Sequence, residues 1–72
     1  MKEIYEAITS SGKKRITKAI HNYDGIIDEV YIIEDIYNLG GGRVHINTSH
    51  ANKVYADSIM GKYNFTLWES EV

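Results

Sequence analysis

Ile4-Tyr5-Glu6-Ala7-Ile8-Thr9-Ser10-Ser11-Gly12-Lys13-Lys14-Arg15-Ile16-Thr17-Lys18-Ala19-Ile20-His21-Asn22-Tyr23-Asp24-Gly25 is the stretch on which the fold turns. It supports three readings. In the first, Ile4 to Ile8 is a strand and a helix follows, with Ser10 or Ser11 as cap and Gly25 as stop. Arg15, Ile16, Ala19, Ile20 and Tyr23 then share one helical face. Lys13 and Lys14 near that helix's N-terminus oppose its dipole. In the second, one helix runs over 3–23 and carries Gly12 in its interior, at a cost of about 1 kcal/mol. In the third, Ser10-Ser11-Gly12-Lys13 and Asn22-Tyr23-Asp24-Gly25 are both turns of a β-meander, and Glu6 faces Lys18 across strands.

The rest of the chain is easier to read. Val30, Ile32 and Ile36 interleave with Tyr31, Ile33 and Tyr37, a β-branched and aromatic run suited to a pleated strand. Asn38-Leu39-Gly40-Gly41-Gly42 supplies the reversal, and Arg43 to Thr48 alternates strictly, which predicts a β-hairpin over 28–48. Ala51, Val54, Tyr55, Ser58 and Ile59 share a helical face, with Thr48 or Ser49 as N-cap and Gly61 as stop. Tyr63, Phe65 and Leu67 alternate with Asn64, Thr66 and Trp68 in a final strand.

The first reading gives strand, helix, strand, strand, helix, strand. The expected fold is therefore α+β, a ferredoxin-like βαββαβ two-layer sandwich with a four-stranded antiparallel sheet. The similar plan of the two halves and the crossover lengths favour it. The alternative is a β-meander followed by a helix and a strand. With both helices on one face, Val30, Ile32, Val44, Ile46, Phe65 and Leu67 pack beneath them. Tyr31, Ile33, Arg43, His45, Asn47, Thr66 and Trp68 then lie on the open face with Tyr5, while Tyr23, Tyr55 and Tyr63 belong in or near the core.

Composition bounds the function. The chain has 72 residues, no cysteine, no proline and a net charge of −2, with 43% hydrophobic residues. That suits a single domain over 1–72 and excludes a disulfide scaffold, a thiolate zinc site and a disordered tail. No apolar run reaches the ~18–20 residues of a membrane span. The first residues carry acids and do not read as a signal peptide, so a cytoplasmic protein is expected. The lean to Ile, Tyr, Asn and Lys is compatible with an AT-rich genome, such as that of a phage or low-GC bacterium. A domain this small has little room for a deep pocket of ~300 Å³ or more, which shifts the expectation toward surface binding.

No motif points to catalysis. Ser11-Gly12-Lys13-Lys14 lacks the earlier glycine and the trailing Ser or Thr of a phosphate-binding loop. Gly40-Gly41-Gly42 reads as a turn before an anion nest. His45 and His50 have neither the spacing nor the acidic company of a metal site, and His21 lies among polar residues. Glu34 and Asp35 are adjacent on a strand, so they face opposite ways and do not pair as acid and base. No enzyme activity, metal or cofactor is expected. Ile4 to Thr9 is loosely similar to the first aromatic motif of RNA-recognition domains, but Gly42 to Asn47 lacks the aromatics of the second, and no family is assigned.

The expected function is a non-catalytic protein-binding module, an inhibitor, adaptor or regulator acting through the open sheet face. Tyr5, Tyr31, Arg43, His45 and Trp68 would contact the partner, and Asp28, Glu29, Glu34 and Asp35 would steer it. A homodimer is another way to cover that face. The alternative is a small RNA- or single-stranded-nucleic-acid-binding module. It would use the sheet aromatics with Lys13, Lys14, Arg15 and Lys18, against an overall pI near 5.8.

Overall fold

The computed structural model describes residues 2–71 and is mostly antiparallel sheet. Its elements are β1 (Lys2–Thr9), β2 (Gly12–Tyr23), β3 (Ile26–Gly40), β4 (Arg43–Ala51), α1 (Lys53–Lys62) and β5 (Thr66–Glu71). The sheet order is β4-β3-β2-β1-β5. This corrects the ferredoxin-like expectation: the described residues form five strands and one helix, and the first four strands are the β-meander of the alternative. Ile16 and Ile20, which suggested a helix, are four residues apart. That spacing also fits one face of a strand, because four is a multiple of the strand period of two. The Asp24-Gly25 turn then decides the matter.

Each hairpin is set by its loop. Thr9 pairs with Gly12 across Ser10-Ser11. Tyr23 pairs with Ile26 across Asp24-Gly25, whose φ angles of 48° and 82° are both positive. Gly40 pairs with Arg43 across Gly41-Gly42, with φ angles of 61° and 77°. Positive φ at both loop residues is the type I′ geometry, whose twist matches that of the strands it joins. Gly12 is required for a different reason: a Cβ there would lie 2.0 Å from the carbonyl oxygen of Ile36 on β3. The Ser11 carbonyl at this corner accepts a 2.9 Å hydrogen bond from the Asn38 amide. The β1–β2 register that results pairs Glu6 with Arg15 and Glu3 with Lys18, so the expected Glu6–Lys18 pair does not form.

The chain leaves the sheet at β4 and returns at the opposite edge as β5. The intervening helix must therefore cross one face. Asn52 caps it, accepting a 2.8 Å hydrogen bond from the Tyr55 amide, so the expected Thr48 or Ser49 cap stays in β4. Gly61 lies inside the helix and Tyr63 is its C-cap. The helix buries Ala56 and Ile59 against Ile16, Tyr31 and Ile33, with Ala51, Met60 and Phe65 alongside.

This packing exchanges the expected faces for β1, β3 and β4, whereas Phe65 and Leu67 lie on the helix side and Thr66 and Trp68 on the open side as expected. Tyr31 and Ile33 are under the helix, and Tyr31 is only 3% exposed. Val44, Ile46 and Leu67, expected beneath helices, are exposed, as are Tyr23, Tyr55 and Tyr63, expected in or near the core. Val54 also faces outward. The core is small, and the molecule is long, with principal extents of 47 × 23 × 19 Å. Among the described residues, no helix is long and apolar enough to cross a membrane.

Candidate functional site

Directly paired residues of antiparallel strands share a face. Register alone therefore places Ile4, Glu6 and Ile8 of β1 on the face away from the helix. With them lie Lys13, Arg15 and Thr17 of β2, Ile32, Glu34 and Ile36 of β3, and Val44 and Ile46 of β4. At the centre of this face the Glu6 carboxylate accepts a 2.8 Å hydrogen bond from Arg15 Nε, and Arg15 Nη2 lies 2.7 Å from the same oxygen as an ion pair. Lys13 Nζ lies 3.5 Å from the same oxygen. The Arg15 guanidinium sits 5.6 Å from the centre of the Trp68 ring, a cation–π distance.

Trp68 reaches this position through an irregularity. The β1–β5 register shifts between Ile4 and Tyr5, so Ile4 pairs with Glu69 and Tyr5 with Leu67, leaving Trp68 without an opposite number. Extra residues of this kind re-aim a side chain. Trp68 remains 60% exposed although it rests on Arg15. Partial burial pushes the Glu6 carboxyl up, but the hydrogen bond and charge of Arg15, then those of Lys13, outweigh it and hold the group below its ordinary value.

Apolar residues flank this charged centre toward the β1–β2 and β3–β4 turns. Ile4 and Ile36 are buried within the face, whereas Ile8, Val44 and Ile46 are exposed, Ile8 by 83%. Ile8, Gly12, Lys13, Ile36, Asn38 and Val44 line a shallow depression of about 340 Å³ at the end of the sheet that carries the β1–β2 and β3–β4 turns.

The residues expected to bind a partner are dispersed. Trp68 is on the open face. Tyr5 and Tyr31 are on the helix face, where Tyr31 donates a 2.8 Å hydrogen bond to Glu29. Burial, then that bond to Glu29, pushes the Tyr31 hydroxyl up to about 12; burial and Glu3 raise Tyr5 as well. Arg43 and His45 are exposed on β4, the His45 ring 6.2 Å from that of Tyr37 and its Nε2 3.0 Å from Asn47 Oδ1. His50 falls on the opposite face of β4 from His45.

The acidic set is equally divided. Glu34 lies across from Arg15, Asp35 pairs with Lys14 on the helix face, Glu29 is bound by Tyr31, and Asp28 is out beyond the body of the sheet. The basic set alternates too: Lys13 and Arg15 face one way, Lys14 and Lys18 the other. Burial depresses Lys14, but Asp35 outweighs it and leaves the ammonium above its ordinary value, 5.3 Å from the Tyr63 ring.

Glu6, Ile8, Val44 and Ile46 are site residues that sequence reasoning assigned elsewhere or passed over. The Glu6–Arg15 pair was accessible from Ser10-Ser11, since a two-residue loop alone implies it. Compared with protein-family models, curated proteins and solved structures, the chain finds no match.

Proposed function

We propose that this is a non-catalytic protein-binding module, an inhibitor, adaptor or regulator of a cytosolic partner, that docks through the uncovered face of its sheet. The observation that carries the reading is Trp68, largely exposed yet held on Arg15, which Glu6 fixes in turn. Trp and Arg are the residue types that dominate interface energies. A pair already oriented before binding loses little side-chain freedom on docking. The exposed Ile8, Val44 and Ile46 supply apolar area beside it.

The nucleic-acid alternative has less support. Lys13 and Arg15 are engaged by Glu6 and Lys14 by Asp35, and the four cations divide between two faces. A phosphate backbone needs them along one track.

Trp68 is the only tryptophan in the chain, so its fluorescence reports this face directly. Proteins retained from an extract of the native host are to be titrated against the purified chain. A true partner shifts the Trp68 emission, and Trp68→Ala weakens its binding by about thirtyfold, or ~2 kcal/mol. A partner bound with unchanged affinity by Trp68→Ala and by Arg15→Ala would overturn the reading. Binding lost instead in Lys14→Ala and Lys18→Ala, with single-stranded nucleic acid as the ligand, would favour the alternative.

A further inference from the structure

The two edges of the sheet are unlike each other. β5 is short, irregular where Trp68 is unpaired, and contains Glu69 and Glu71 in its sequence. Short length, bulges and charge are the devices by which edge strands avoid pairing with other chains. β4 is longer, and its charge and its one register irregularity are confined to the Arg43 end. It is nine residues long, its ladder with β3 is unbroken from Val44 to Ala51, and Arg43 is its only formal charge. Arg43 to His50 are all exposed. Among the described residues, no backbone hydrogen bond joins β4 to anything but β3.

We infer that β4 is an assembly edge whose occupant is β4 of a second copy, paired antiparallel about a two-fold axis at Ile46. The side-chain pattern fits itself in this register. On the open face Ile46 meets its own copy, and Val44 meets Thr48 on either side. On the helix face His45 meets Asn47 and Arg43 meets Ser49. No formal charge meets its like. Such an axis stands perpendicular to the sheet, so each residue keeps its face. The product is one ten-stranded sheet with both helices on one side and both open faces joined on the other. The inference stands apart from the docking reading, because it uses the strand edge and leaves Trp68 uncovered.

Sedimentation of the full chain over rising concentration tests it. The expected result is a monomer–dimer equilibrium that stops at two. Ile46→Lys places two lysines opposite each other and raises the dimer Kd about tenfold or more. Because the chain has no cysteine, Ile46→Cys gives an independent check of register. Directly opposed residues come within disulfide reach, so oxidation should trap Ile46→Cys as a covalent dimer. The comparably exposed Leu67→Cys on the other edge should stay monomeric. A chain monomeric at every concentration, with no trapped Ile46→Cys dimer, overturns the inference. So does growth beyond two copies, the sign of β4 joining β5 of the next molecule. A dimer that survives Ile46→Lys but is lost in Trp68→Ala assigns contact to the open face and overturns it too.

Discussion

Glu6 is the residue on which the open face is organised. Its carboxylate holds Arg15 and Lys13, and Arg15 holds Trp68. Because this carboxyl titrates lower in the folded chain than in the unfolded one, its contribution has a definite sign. It is fully present above the ordinary value of about 4.5 and is lost as pH falls through the lower folded value. Urea unfolding from neutral to acid pH should therefore show a decline in stability below about 4.5. Glu6→Gln should lower stability at neutral pH and flatten that decline. An unchanged acid limb in Glu6→Gln would mean that other carboxylates carry it. Tyr31 shows the opposite side of residue-level reading. Its amphipathic ring fits an exposed face or a core equally well, and only the register, opposite Lys18 and Ala51, puts it under the helix.

At the scale of elements, the turns decide more than the periodicities do. Gly41-Gly42 was legible, and Asp24-Gly25 was legible in the meander alternative, because few residue pairs tolerate positive φ at both positions. The 13–23 segment was not, because the Ile16–Ile20 spacing fits a helix and a strand alike. The helix face was misread for a related reason. Val54 and Tyr55 share their spacing with Ile59, but α1 turns Ala56 and Ile59 to the sheet and leaves Val54 and Tyr55 exposed. The β1–β2 corner is where one turn touches a third strand. Gly12→Ala would press a methyl group into the Ile36 carbonyl, and should destabilise the protein by about 1–3 kcal/mol in chemical denaturation. A loss of only a few tenths would show that the corner opens without cost.

For the whole molecule, the consequence of this topology is an uneven distribution of support. Among the described residues, β1 pairs with β2 as far as Ala19 and β4 with β3 as far as Tyr31. Residues 21–29 therefore form a two-stranded arm beyond the body, with Tyr23, Ile26 and Ile27 exposed. Two strands alone are marginal in water. Amides of 21–29 should exchange with solvent much faster than those of Lys14 to Thr17, which lie between paired strands on both sides. Equal protection would indicate that the arm is covered in solution.

The sequence by itself determined the reversal at 38–42, the α1 segment, the final strand and the absence of cysteine. These rest on local backbone sterics and on composition, which need no distant partner. The tertiary structure alone decided which face of the sheet is covered. A strand's alternation says that two faces differ, but a one-residue change in parity exchanges them. The choice is made by where α1 crosses on its way from β4 to β5, a contact between parts of the chain far apart in sequence. That crossing buries Tyr31 and leaves Trp68, with Arg15 and Glu6 beneath it, facing outward.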